Sequence, residues 1–156
     1  MRLGVLNVLK ITVHPDIDAS IAKKLAAAST KAEHTVAVQA AKDTSPYVPM
    51  LTGSLNARTN VDGGSIIYPG PYARYLYYGK VMVDSVTGKG PMHFIDKMGN
   101  EQIKFRKGAT LKPTDRDLKY TKSAHPQAQD HWFEASKAEN LDKWLRVAEK
   151  AVKNDL

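Results

Sequence analysis

The chain of 156 residues contains no cysteine. That single absence removes disulfide frameworks, thiolate zinc sites and thiol nucleophiles together, and it fits folding in a reducing cytoplasm. Long apolar runs are also missing, since nothing approaches the ~20 consecutive apolar residues of a membrane-spanning helix. Met1 to Val13 is apolar in character, but Lys10 interrupts it and no small-residue cleavage site follows, so a strand is expected there and export is not. The five histidines stand at 14, 34, 93, 125 and 131, with no two at the spacing of three to five that places metal ligands on one face. No metal site and no cofactor is predicted. Serines lack a nucleophile elbow, Gly88-Lys89-Gly90 lacks the phosphate-cradling pattern, and the pairs Asp16/Asp18 and Asp115/Asp117 read as caps and solvated charges. Enzymatic activity is therefore not expected.

What is present is positive charge. Lys and Arg number 23 against 16 Asp and Glu, a net charge of +7, and residues 80 to 129 hold ten of the basic residues against five acidic ones. An excess of that kind favours contact with a polyanion, although many basic faces are merely solvated. The length fits one domain over 1–156, able to bury roughly two-thirds of its unfolded surface.

Along the chain, Asn7 to Val13 is rich in β-branched residues and reads as a strand ended by Pro15. A helix capped by Asp16 or Asp18 follows. Its apolar stripe is Ile17, Ile21, Leu25, Ala28, Ala32, Val36 and Ala40, small enough for close approach to a sheet, with Lys23, Lys24, Lys31 and Lys42 facing water. Pro46 and Pro49 end the helix. Gly53 then permits a tight turn inside Leu51-Thr52-Gly53-Ser54-Leu55, after which residues 54 to 61 and 65 to 68 are expected to pair as strands across Asp62-Gly63-Gly64.

Pro69-Gly70-Pro71 stops that hairpin and opens a short helix, Tyr72-Ala73-Arg74-Tyr75-Leu76-Tyr77-Tyr78, which Gly79 closes with a left-handed cap. Tyr72, Tyr75, Tyr77 and Tyr78 are the candidate oligomer-interface residues, because tyrosine brings a large contact area and a hydroxyl that tolerates a wet rim; part of the set is expected to be core. Beyond Gly79, strands are expected at Val81 to Val83, at Phe94 to Asp96 and at Gln102 to Arg106, the last two forming a second, basic hairpin across Met98-Gly99-Asn100. Lys107 to Asp117 reads as loop around Pro113, and Leu118 to Lys122 as a short strand. A closing helix is expected from about Asp130 to Lys153 with a break at Asn140, its apolar face carrying Trp132, Phe133, Leu141, Trp144, Leu145, Ala148 and Val152.

This order of parts resembles the siphophage neck proteins, the minor-capsid or tail-completion family found where a viral head meets its tail. The likeness rests on the long first helix, the proline-flanked Leu51-Thr52-Gly53-Ser54-Leu55 turn, the hairpin, the Tyr72 to Gly79 segment and the helix opened by Trp132-Phe133-Glu134-Ala135, which together span nearly the whole chain. Residues 80 to 129 depart from it, and nothing is carried over to them. The resemblance implies an α+β fold, a twisted antiparallel sheet against two long helices, and a structural subunit of the virion at the head–tail junction. It further implies a ring, with cyclic symmetry and six copies, touching a head-completion or stopper protein on one side and a tail-terminator protein on the other, around viral DNA and with no membrane partner. Lys104, Arg106, Lys107 and Lys112 are the candidate residues for facing that DNA or for bracing a neighbouring subunit. The rival readings are a tail terminator or stopper, and a free-standing nucleic-acid-binding protein.

Overall fold

A computed structural model describes residues 1–5, 19–50, 54–70 and 73–156. The expected strand at 7–13, its helix caps Asp16 and Asp18, Ile17, the turn at 51–53, Pro71 and Tyr72 lie outside those residues. The elements run β1 Arg2–Gly4, α1 Ala19–Thr44, a 3-10 turn Ser45–Tyr47, α2 Ser54–Ala57, β2 Asn60–Asp62, β3 Ser65–Ile67, α3 Ala73–Tyr78, β4 Lys80–Asp84, β5 Met92–Ile95, β6 Glu101–Lys104, β7 Leu111–Asp117 and α4 Trp132–Asp155. The fold is α+β. Among the described residues all strand pairs are antiparallel, divided among three small sheets ordered β1-β3-β2, β4-β7 and β5-β6.

Alanine gives α1 its helical propensity and its narrow buried stripe, Ala28, Ala32, Val36, Ala37, Ala40 and Thr44. That stripe meets α4 first and β2 and β3 second, so another helix is the main beneficiary of the close approach expected for a sheet. The two helices run antiparallel. Thr44 Oγ1 donates to Ser136 Oγ at 3.0 Å, Lys143 Nζ reaches Asp43 at 2.7 Å, and at the far end Lys31 Nζ reaches Asp155 at 2.6 Å. Because α4 ends opposite Lys31, the start of α1 has outrun its partner, and Ile21, expected in the apolar stripe, is 55 % exposed. Lys23, Lys24, Lys31 and Lys42 face solvent as expected.

The Asp62-Gly63-Gly64 hairpin forms, with Asp62 opposite Ser65 and Gly63 at φ +56°. Its first arm is shorter than expected. Residues 54–57 make a helical turn, held by Asn56 Nδ2 donating to Ser45 Oγ at 2.7 Å and Thr59 Oγ1 donating to the Leu55 carbonyl at 2.9 Å.

The core lies where α1, α4, β3 and α3 converge. Tyr68, Tyr77, Trp132, Phe133 and Trp144 supply its bulk, with Tyr77 standing edge-on to Trp132 at 4.8 Å between centroids and Phe133 stacked on Trp144 at 5.8 Å. Offset and edge-on arrangements suit the ring quadrupoles and add about 0.5–1.5 kcal/mol per pair beyond burial. α4 passes Asn140 without a break, since that side chain turns back to donate to the Ser136 carbonyl at 2.9 Å.

Two expectations past Gly79 are overturned. Residues 111–117 are strand, and 118–122 are not. Pro113 is admitted because β7 belongs to a two-stranded sheet, where a residue lacking a backbone donor can sit at an open edge, and the ladder to β4 shifts register between Lys80 and Met82.

Candidate assembly surfaces

Gly79 fixes the setting of α3. Its φ of +72° ends the helix, its N–H donates to the Tyr75 carbonyl at 3.0 Å and its carbonyl accepts from Leu118 N–H at 2.8 Å. A Cβ built there falls 2.9 Å from Asp130 Cβ and 3.1 Å from Tyr120 Oη, so only glycine fits both the angle and the space.

The short helix divides its tyrosines between two environments. Tyr77 points inward and is 4 % exposed; its hydroxyl donates to the Glu134 carboxylate, and burial, joined by that carboxylate, pushes the phenol far above its usual range. Its ring is consumed by Trp132 within the same chain, which corrects its assignment to an oligomer interface. Tyr75 is half-buried. Tyr78 is 52 % exposed, edge-on to His131 at 5.7 Å, with the Arg74 guanidinium 6.0 Å from its ring centre. The fourth candidate, Tyr72, falls outside the described residues. Of the tyrosine surface, Tyr75 and Tyr78 remain.

A second surface escaped the sequence reading. The β5–β6 hairpin carries Met92, Phe94, Ile95, Met98 and Ile103 exposed to solvent, more than half of the large apolar side chains so exposed among the described residues. Met92 and Phe94 share one face with Lys104 and Gln102, while His93 and Ile95 share the other with Ile103 and Glu101. Neither face is covered. The signal lay in the sequence as apolar side chains at both parities of β5, Phe94 and Ile95 side by side, which no single buried face accommodates. The basic hairpin expected over Phe94 to Arg106 ends at Lys104, so Arg106 falls outside it. From Met92 to Lys104, Asp96 and Glu101 balance Lys97 and Lys104.

The candidate cations begin at the last residue of the hairpin and continue beyond it. Lys104 on β6, Lys107 in the following turn and Lys112 on β7 are exposed, and none forms an ion pair among the described residues. Arg106 differs from them. Its Nε and Nη2 donate to the carboxylate of Asp84, which is 3 % exposed and also accepts the Val86 N–H at 2.8 Å. The guanidinium, followed by those backbone donors, holds the Asp84 carboxyl below its ordinary value. Arg106 thus answers a buried charge at the root of the hairpin, and its standing as a free cation for DNA is corrected.

Among the described residues no group of three or more His, Asp or Glu is placed to hold a metal ion, and no helix is long and apolar enough to cross a membrane.

No curated protein and no solved structure matches the chain. A family model described as Minor capsid protein does match, over residues 11–100. The matched stretch takes in α1, the β2–β3 hairpin and α3, runs on past Gly79 through β4 and β5, and stops short of β6, β7 and α4. It is thus shorter than the nearly complete span of the neck-protein resemblance, yet reaches into residues to which that resemblance carried nothing. Covering more than half of the chain, the match shows that this protein belongs to the Minor capsid protein family, structural proteins of the bacteriophage virion.

Proposed function

We propose that the chain is a ring-forming subunit of the phage neck, joining the DNA-filled head to the tail. The observation that carries this reading is the concentration of uncovered apolar side chains on a hairpin that, among the described residues, pairs only with itself. A two-stranded hairpin alone is marginal in water, and apolar surface of this kind marks a protein contact. Tyr75 and Tyr78 add a second patch of different composition. A ring needs such unlike patches, because cyclic symmetry brings one surface of each copy against a different surface of the next.

In this reading the ring holds six copies, lies between a head-completion or stopper protein and a tail-terminator protein, and surrounds the viral DNA. Lys104, Lys107 and Lys112 face the DNA channel; phosphate contacts of that kind carry no sequence information and weaken with salt. Reversing the three charges reduces genome retention or tail joining while leaving the fold intact. Particles that assemble and hold DNA normally with all three reversed would remove the channel role.

The test of location is electron microscopy of particles carrying the chain with a C-terminal label. Label at the head–tail junction supports the neck; label over the capsid faces or at the tail tip overturns it. The net charge of +7 favours one other reading, a free-standing DNA-binding protein. Tight DNA binding by the monomer at physiological salt, read by gel shift, would select that reading instead.

A further inference from the structure

We infer that the β5–β6 hairpin closes the ring, β5 of each copy adding edge to edge onto β6 of a second copy of this chain, an inference that rests on the ring proposed above. The edge of β7 is guarded, since it carries Lys112, Pro113, Asp115, Arg116 and Asp117. Charge, proline and irregular register are the devices by which sheets refuse further strands. From Met92 to Ile95, β5 has no charge, no proline and an unbroken register with β6.

The hydrogen-bond phase says which backbone groups are open. Asp96 N–H donates to the Asn100 carbonyl at 2.9 Å, so the alternation of an antiparallel ladder makes Phe94 with Gln102 and Met92 with Lys104 the bonded pairs. His93 and Ile95 on one edge, and Glu101 and Ile103 on the other, are then left aiming their backbone groups outward. Copies related by rotation about one axis point their hairpins the same way, so β5 of one runs antiparallel to β6 of the next. The apolar match sets Ile95 opposite Ile103 of the second copy. Lys97, in the turn beyond β5, then lies at the level of Glu101 of the second copy, and among the described residues neither forms an ion pair.

The register is staggered by two residues relative to the hairpin's own pairing, as closing a sheet into a barrel requires, and closure removes every free edge. Charge selects the occupant. The hairpin is electrically balanced within a chain of +7, so a second, equally basic copy can approach it without net repulsion, with complementary charges at Lys97 and Glu101.

The absence of native cysteine makes the test clean. Full-length Ile95→Cys and Ile103→Cys chains are mixed and gently oxidised, since a directly opposed antiparallel pair lies within disulfide reach. A covalent dimer from the mixture, well above that from either variant alone, is the expected result. Lys97→Glu weakens the oligomer seen by sedimentation, and Lys97→Glu with Glu101→Lys restores it. If the wild-type chain forms an oligomer without the mixed disulfide, the hairpin contact is overturned and the ring must close elsewhere. Should the chain stay monomeric with no disulfide, the inference also falls, whereas the neck reading stands or falls on the labelled particles alone.

Discussion

Asp84 and Arg106 clasp the base of the exposed hairpin: the carboxylate ends β4 inside the protein, and the guanidinium beyond β6 reaches back to bind it through two nitrogens. Because folding lowers the Asp84 carboxyl, through Arg106 first and the Val86 N–H second, the unfolded chain binds the proton more readily. The stabilisation is therefore complete above the ordinary value of 3.8 and is lost as pH falls through the lowered folded value. Asp84→Asn is expected to flatten the acid limb of the melting temperature between those values. It is also expected to speed amide exchange in residues 85–106 while α4 keeps its protection, read by hydrogen exchange.

A second carboxylate joins the two long helices. Asp43 accepts the indole N–H of Trp144 at 2.9 Å, Lys143 at 2.7 Å and Gln39 at 3.1 Å; burial pushes its carboxyl upward, but these donors outweigh it and the net direction is down. Asp43→Ala leaves the donor of a nearly buried tryptophan without a partner, a loss of about 1–3 kcal/mol. For a domain of this size that lowers the melting temperature by roughly 2–4 °C per kcal/mol. Lys143→Met, which removes only a half-exposed ion pair, is expected to cost under about 1 kcal/mol. Equal losses from both variants in thermal melts would contradict the role given to the indole bond.

Much of this arrangement was legible in the sequence where local chemistry decides it. Asp62-Gly63-Gly64 sets a two-residue turn, Gly79 has little alternative to a left-handed cap, and the aromatic start of α4 had to be core. Reading failed where partners distant in sequence decide. Pro113 argued for loop until β4 supplied a neighbour, Ile21 counted as core until α4 ended short of it, and Arg106 looked like a free cation until Asp84 was found beneath it. The exposed hairpin was missed for a related reason: strand pattern is visible locally, whereas its exposure among the described residues depends on how distant elements pack.

Gly79 gives a test that separates backbone strain from crowding. Gly79→Ala places a side chain at φ +72° and 2.9 Å from Asp130 Cβ. The left-handed conformation alone costs about 1–3 kcal/mol, and the contact adds to it. Combining Gly79→Ala with Asp130→Gly removes the nearest atom and leaves the strain. Partial recovery of the melting temperature in the double variant is the expected outcome, and no recovery would show that Asp130 yields freely.

Tyr77 and Tyr78 are adjacent in sequence and opposed in consequence. Tyr77→Ala empties a core position against Trp132 and is expected to cost about 3–5 kcal/mol, while Tyr77→Phe loses only the hydroxyl bond to Glu134, about 1 kcal/mol. Tyr78→Ser removes a half-exposed ring with edge-on neighbours in Tyr77 and His131 and is expected to cost about 1 kcal/mol, well below Tyr77→Ala. Self-association should respond in the opposite order: at a temperature where both chains are folded, sedimentation should show Tyr77→Phe assembling like wild type and Tyr78→Ser assembling less. A Tyr78→Ser chain that melts as early as Tyr77→Ala would return this ring to the core, and one that associates like wild type would take α3 out of the contact between copies.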